Sequence, residues 1–263
     1  MIPPEKRGTY SASLSALLYL ALLGASERSG SAPRNAEFID SLGIKNLQIA
    51  TSILTAKGAQ RPTDPYGTYP VEVFRIGCEA DLLSEDWLLF CDRFRRGAAR
   101  GKQSAAVLSL VSVFREMADN VVCHAFESPG KPCRGLAGYH VSDQCITFSV
   151  IDDGIGFLKR LQGCRTWAHL KSDQQALDAV VSKQATSRPG ESSGGGFKQL
   201  FNGLLNLNGL VVLRTGTATF TLRNHKAHWQ RTEAISHPIF GSQVTLVIGR
   251  NGLTEEETVK DLS

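Results

Sequence analysis

The feature that most constrains the fold of this chain is a long helix predicted from just after Gly101 to about residue 126. An α-helix turns by about 100° per residue, so apolar residues at helical spacing form a single stripe. The stripe consists of Val107, Val111, Phe114, Ala118, Val121 and Ala125. A stripe of this kind is stable only when it packs against another layer of structure. The helix therefore predicts a layered core.

The same helix carries a second, polar stripe. Glu116, Asn120 and His124 recur every four residues in "SVFREMADNVVCHAF" and fall on the side opposite the apolar stripe. One interpretation is an ordinary solvent-exposed face, and the stripe alone favours it. The other is a row of functional groups lining a site. Two further features of the sequence bear on this choice.

The first is a strand that runs directly into an acidic, glycine-containing turn. The alternating segment "CITFSVI" (145–151) is followed by Asp152, Asp153, Gly154, Ile155 and Gly156. Glycine lets the backbone turn sharply and approach a ligand closely. A carboxylate beside such backbone can accept a hydrogen bond from an exocyclic amine. Asp-Asp-Gly is also common in ordinary turns, so the motif alone is weak evidence.

The second feature is a run of three glycines, Gly194, Gly195 and Gly196, before the predicted helix "FKQLFNGLLNL". Exposed N–H groups and the positive end of a helix dipole form an anion site. Lys198 adds a positive charge there or remains solvated. The run is not a P-loop, because no Gly-Lys-Ser/Thr follows it. The earlier glycines are not a dinucleotide fingerprint, because Lys159 stands where the third glycine is expected.

The remaining pattern predicts a fold class. We predict a strand at 71–77, a helix capped by Ser84, an amphipathic helix at 172–184, and late strands in "GLVVLRTG", "TATFTLR" and "SQVTLVIG", with Gly216 turning the first two into a hairpin. These elements predict an α/β (α+β) two-layer sandwich, with a mixed, mostly antiparallel sheet covered by helices on one face. Residues 1–84 are predicted to be an N-terminal region of unknown role, and residues 85–263 the main domain.

Four segments, taken in order, resemble the GHKL ATPase superfamily, which includes gyrase-type topoisomerases, histidine kinases and mismatch-repair ATPases. "EMADNVVCH" is similar to the N box, "DDGIG" and "SGGGFKQL" to the two glycine boxes, and "GSQV" to the closing Gly-Ser/Thr-x-Val. The resemblance covers residues of about 104–249. The segment between the glycine boxes resembles the mobile ATP lid, and the short lid is most similar to those of histidine-kinase-like and anti-sigma-kinase-like proteins.

The resemblance implies Mg²⁺ and ATP as cofactors and assigns roles in the N box. Asn120 would give its amide oxygen to Mg²⁺, a hard cation that prefers oxygen ligands. Glu116 would orient or deprotonate the attacking nucleophile as a general base. His124 would contact phosphate.

The glycine boxes and the closing motif would hold the rest of the nucleotide. Asp152 would accept the adenine amino group, and Gly154 and Gly156 would flank the base. Ser242 would hold the water network around adenine. The lid backbone would close on the phosphates at the three glycines of the second box, with Lys198 as a possible partner for their charge. The second box departs from the family pattern, because Lys198 and Gln199 follow Phe197 and the last glycine is absent.

We therefore expect a Mg²⁺-dependent ATP-binding module that hydrolyses ATP slowly or uses it as a switch, acting on a protein partner or as a homodimer. One alternative is an anti-sigma-type protein kinase that phosphorylates serine or threonine on a partner, because the same residues serve a protein hydroxyl in place of water. Another is a non-catalytic interaction module in which nucleotide only orders the lid.

Composition limits the ligands and the cellular compartment that the chain can have. The net charge is +4, which permits an anionic ligand but gives no clear nucleic-acid patch. Six cysteines without a C-x-x-C pair indicate reduced thiols in a cytoplasmic protein. No apolar run reaches the roughly 20 residues of a membrane span.

One N-terminal segment has two interpretations. Residues 14–26, "LSALLYLALLGAS", follow Lys6 and Arg7 and resemble a short signal peptide. However, Leu14, Leu17 and Leu18 have helical spacing, which favours an ordinary buried helix near 13–24.

Overall fold

The computed structural model describes residues 71–99, 105–124, 135–141, 145–183, 209–223 and 229–249. The elements are β1 (Val71–Ile76), α1 (Glu79–Leu82), α2 (Glu85–Ala99), α3 (Ala105–His124), β2 (Gly135–Val141), β3 (Cys145–Asp152), α4 (Gly156–Gln162), α5 (Asp173–Lys183), β4 (Gly209–Arg223) and β5 (Trp229–Gly249). The helices predicted near 13–24 and after the second glycine box lie outside these residues.

The five described strands form one sheet in the order β1-β2-β3-β5-β4. Every neighbouring pair is antiparallel. The α+β class and the antiparallel sheet predicted from sequence are thus confirmed. Strand β1 lies before the expected boundary at residue 84, yet it is hydrogen-bonded to β2 along its whole length. The chain from residue 71 onward therefore contributes to this sheet.

The main core lies between α2, α3 and one face of the sheet, which we call the front face. Its centre on β3 consists of Ile146, Phe148 and Val150. Phe114 of α3 packs on Phe148 with ring centroids 4.9 Å apart, and Phe94 of α2 lies 5.2 Å from Phe114. Within the described part of α3 the apolar stripe faces the core: Val107, Phe114, Ala118 and Val121 are buried, and Val111 is partly buried against them.

The start of α2 follows the predicted cap. The backbone N–H of Trp87 donates to Ser84 Oγ at 3.2 Å, which satisfies one of the otherwise unpaired N–H groups of the first turn. Glu85 and Asp86 follow in that turn and suit the positive end of the helix dipole. Within the described residues, no helix combines the length and apolarity needed to cross a bilayer.

The predicted hairpin at Gly216 is wrong. Strand β4 continues through this position to Arg223, and the register shifts around Gly216 mark a β-bulge. Gly216 has φ +48°, and a Cβ there would collide with the Asp173 carboxylate. Asp173 accepts hydrogen bonds from Thr217 N–H at 2.8 Å and from Thr217 Oγ1 at 3.0 Å. The glycine thus admits a carboxylate from α5 and does not reverse the chain.

A buried ion pair ties β1 and β2 to α2. Arg93 Nε lies 2.9 Å and 3.0 Å from the two carboxylate oxygens of Glu72. Tyr139 of β2 donates its hydroxyl to the same carboxylate. Both charged side chains are almost fully buried. Removing one partner of such a pair leaves an uncompensated charge.

We predict that Glu72→Gln lowers the free energy of unfolding by about 3 kcal/mol, because it leaves the buried Arg93 guanidinium without its anion. Asp92→Asn is the matched control, since Asp92 pairs with Arg95 and Arg96 at the surface. The control should change stability by less than about 1 kcal/mol. Urea titration followed by circular dichroism measures both, and equal effects would contradict a structural role for the buried pair.

Candidate functional site

The site is organised around Asp152, the last residue of β3. Its Oδ1 accepts a hydrogen bond from Gly154 N–H at 2.8 Å and a longer one from Ser242 N–H at 3.3 Å. Its Oδ2 accepts from the Ser242 hydroxyl. The end of β3 and the middle of β5 are therefore joined through one carboxylate. The structure thus brings together two motifs that are 90 residues apart in the sequence.

The Asp152 carboxyl is only 4% exposed. Burial raises its pKa to about 6, and the donors Ser242 and Gly154 oppose that shift without cancelling it. A carboxylate offers about four lone-pair positions. Three are taken by these donors, so one acceptor position remains within the described residues. A buried acceptor of this kind can take a hydrogen bond from one further donor.

Two glycines with left-handed backbone surround this carboxyl. Gly241 has φ +68°, and a Cβ on it would collide with the backbone and side chain of Asp152. Gly156 has φ +73°, and a Cβ on it would lie 2.8 Å from Thr215 Oγ1 and 3.3 Å from the Gly241 carbonyl oxygen. Only glycine fits both positions without strain. The backbone at both glycines therefore packs tightly against protein atoms, whereas the approach of the first glycine box to a ligand stays a prediction.

Thr215 is part of this arrangement although it lies outside every motif in the sequence. Its fully buried hydroxyl accepts from Phe157 N–H at 3.1 Å and donates to the Gly241 carbonyl at 3.1 Å. It therefore links β4, β5 and the first turn of α4. No sequence signal marks this threonine, because one β-branched residue in a strand is ordinary. Its role depends on strands that pair only in the folded chain.

The C-terminal half of α3 packs at the same end of β3. A Cβ on Gly135, the register partner of Asp152, would lie 2.5 Å from Val121 Cγ1 and 3.3 Å from the Ile151 carbonyl oxygen. Arg160 of α4 donates to the Cys123 carbonyl at 3.3 Å. The last turns of α3 are thereby held against both the strand and the helix that flank the "DDGIG" turn.

The polar stripe of α3 is half-buried where it is described. Glu116 and Asn120 have intermediate exposure, which argues against a simple solvated face. Burial, with a smaller contribution from the Asp119 charge, raises the pKa of the Glu116 carboxyl. His124 is the last residue of α3, and its side chain lies outside the described part.

The predicted site residues differ in where the structure places them. Asp152, Gly154, Gly156 and Ser242 are brought together. Glu116 and Asn120 lie on the helix that packs beside them, but no described hydrogen bond joins either residue to Asp152. The predicted phosphate group, Gly194, Gly195, Gly196 and Lys198, lies outside the described residues.

The described residues contain no cluster of three His, Cys, Asp or Glu side chains suited to a metal ion. The metal ligand predicted from sequence is the amide oxygen of Asn120 alone. This is compatible with nucleotide-bound Mg²⁺, which typically takes one or two protein oxygens and completes its shell with phosphate and water.

Comparison with known proteins adds no assignment. The sequence matches no protein-family model and no curated protein.

We predict that ionisation of Asp152 destabilises the fold as pH rises. Its pKa in the folded chain is about 6, above the unfolded value of about 3.9, so the folded state binds more protons between these pH values. Stability is therefore lost as pH rises through that window, by roughly 3 kcal/mol. Asp152→Asn should lack this loss.

The measurement is the urea midpoint of unfolding at pH 4 to 7 for wild type, Asp152→Asn and the exposed control Asp178→Asn. The control should follow wild type. Parallel curves for wild type and Asp152→Asn would show that this carboxyl does not titrate in the window.

Proposed function

We propose that this chain is a Mg²⁺-dependent ATP-binding module of the GHKL type, which acts as a slow ATPase or an ATP-driven switch on a protein partner. The observation that carries the proposal is the Asp152 carboxylate. It is buried, fixed by Ser242 and Gly154, and retains one acceptor position among the described residues. It also lies where two of the family-like motifs, "DDGIG" and "GSQV", meet.

Adenine is the base that suits this acceptor. Its exocyclic amino group donates to the carboxylate, whereas guanine places a carbonyl oxygen at the equivalent ring position. An oxygen there would leave a buried carboxylate unpaired and facing another acceptor, which is costly. The left-handed glycines Gly156 and Gly241 bring their backbone close to Thr215 and Asp152, because a Cβ at either position would collide with those residues.

The phosphate end of the nucleotide is assigned to α3 and the second glycine box. Asn120 would hold Mg²⁺, which when bound neutralises phosphate charge. Glu116 would act as general base, and its raised pKa favours that role because a base works best with a pKa near the operating pH. His124, the three glycines from Gly194 to Gly196, and Lys198 would contact the phosphates.

The proposal also includes a partner and a cellular location. A protein partner or a second copy would receive the switch, since ATP binding in such a module is useful only when it changes an interaction. We also propose a cytoplasmic location, where Mg²⁺–ATP is available.

We predict saturable binding of a non-hydrolysable ATP analogue with Mg²⁺ in calorimetric titration. Asp152→Asn should weaken it by at least about tenfold, because a charge-assisted hydrogen bond is lost. The matching GTP analogue should bind more weakly by a similar factor. Asp153→Asn, which changes the neighbouring carboxyl, is the matched control and should bind like wild type. Folded wild-type protein that binds neither nucleotide would overturn the proposal.

We predict that Glu116→Gln reduces ADP production by about 10²-fold or more while the affinity for the ATP analogue stays within a factor of three, because only the general base is removed. Glu85→Gln, on the exposed start of α2, is the control. Equal turnover in wild type and Glu116→Gln would rule out the general-base role. Transfer of labelled phosphate from ATP to serine or threonine of a co-purified protein would instead indicate the kinase alternative.

A further inference from the structure

The sheet has a second buried face, which the nucleotide site does not use. Side chains alternate along a strand, so residues between those of the front-face core point to the opposite side. This back face consists of Cys145, Thr147, Ser149 and Ile151 of β3 with Gln243, Thr245 and Val247 of β5. The most exposed of these seven is Val247, at 4%.

The described helices do not account for this burial. The packed side chains of α2 and α3 share a core with the front face. Side chains of α4 and α5 form a second cluster, which contains no back-face residue. The apolar back-face residues Cys145, Ile151 and Val247 lie outside both described clusters of packed core side chains. Because the burial occurs within one chain, no second copy is needed to produce it. Another segment of the same chain must therefore cover this face.

The polar atoms of the back face indicate the chemistry of the cover. Ser149 and Thr245 satisfy each other, with their hydroxyl oxygens 2.8 Å apart. Thr147 Oγ1 and Gln243 Nε2 are buried with no hydrogen-bond partner in the described part of the chain. A polar cover would pair with such atoms, whereas an apolar one leaves them unpaired. Burial also lowers the pKa of His140, the register partner of Thr147 on β2.

We propose that the back face is a docking surface for the N-terminal 70 residues of this chain, and that the apolar stretch 14–26 lies against its centre. These residues lead into β1, an edge strand of the same sheet, so they enter the fold beside this face. The stretch "LSALLYLALLGAS" carries no charge and few hydrogen-bonding groups. It therefore matches a surface whose central polar atoms receive no partner.

The other segments outside the described residues fit less well. Residues 100–104, 142–144 and 224–228 are too short to cover two strands. Residues 125–134, "AFESPGKPCR", carry three charged side chains and two prolines. Residues 250–263 contain the acidic run "TEEE", which a buried surface without cations excludes. Residues 184–208 contain the glycine box assigned above to phosphate.

Two cysteines make this docking measurable in the full-length chain. Cys145 lies on the back face and is 2% exposed. Cys91 lies in α2 on the front-face side, where burial raises the pKa of its thiol to about 12. Loss of the cover should expose Cys145 and leave Cys91 protected, whereas general unfolding exposes both.

The experiment is labelling of full-length protein with N-ethylmaleimide, with each cysteine quantified by peptide mass spectrometry. Leu17→Asp combined with Leu18→Asp should raise the labelling rate of Cys145 by at least about tenfold and leave Cys91 unchanged, because charges do not dock on an apolar surface. Ser29→Asp, which adds a charge outside the apolar stretch, is the control and should label like wild type. Unchanged protection of Cys145 in the double variant would overturn the proposal.

If the double aspartate variant exposes both Cys145 and Cys91, an uncharged double variant distinguishes loss of docking from unfolding. Leu17→Ala with Leu18→Ala weakens docking without adding charge. Faster labelling confined to Cys145 supports the proposal, and equal acceleration at Cys91 overturns it.

A second measurement tests the apolar character of the cover. Thr147→Val should raise the midpoint of thermal unfolding by about 2–4 °C, because a buried unpaired hydroxyl is removed. Thr245→Val is the matched control on the same face, and it should lower the midpoint because Ser149 loses its partner. A lower midpoint for Thr147→Val would mean that its hydroxyl is satisfied, which contradicts an apolar cover.

Discussion

The packing of α3 on β3 is the contact on which the rest of the structure depends. Phe114 and Phe148 meet at the centre of the front-face core, where the rings of α2 also converge. Because a helix and a strand are rigid, this contact fixes where their ends lie. It accompanies the close packing of Val121, which follows Asn120, against Gly135, the register partner of Asp152. The site is thus a consequence of core packing.

The Asp152 carboxyl is energetically unfavourable where it lies. Burying a carboxylate is unfavourable, and burial raises the pKa of Asp152 despite the three hydrogen bonds that it accepts within the described residues. Gly156 and Gly241 adopt backbone conformations that other residues resist. Local arrangements that oppose stability are expected at functional sites. An ordinary turn would place the same acid in water at no cost.

Strand β3 separates two chemically different surfaces. All eight of its residues are buried, although its two faces contact different layers. The front face is aromatic and aliphatic, whereas the back face mixes small polar residues with aliphatic ones. The residues behind the site, Ile151 and Gln243, belong to the back face and adjoin Asp152 and Ser242 in sequence. A segment docked there therefore lies directly behind the site.

The sequence determined the local elements and the chemistry that they carry. The stripe of α3 and the cap at Ser84 follow from periodicity and from unpaired N–H groups, which are properties of neighbouring residues. The strand before Asp152 was equally clear. Strand β2 was not predicted, because two glycines in "GLAGYHV" weaken a strand signal that sheet neighbours on both sides restore.

The tertiary structure alone decided what distant residues do to one another. A glycine with positive φ is compatible with a hairpin turn and with a bulge. At Gly216 the pairing of β4 with β5 continues on both sides, and the Asp173 carboxylate fills the space beside the glycine. Thr215 gained a role in the site through strands that pair across the sheet. The sequence identified Asp152 and Ser242 as separate motif positions, but their hydrogen bond and the burial of the acid exist only after β3 and β5 pair. Local patterns specify which groups are available, whereas desolvation and long-range pairing determine their chemistry, because both depend on surroundings that no short segment contains.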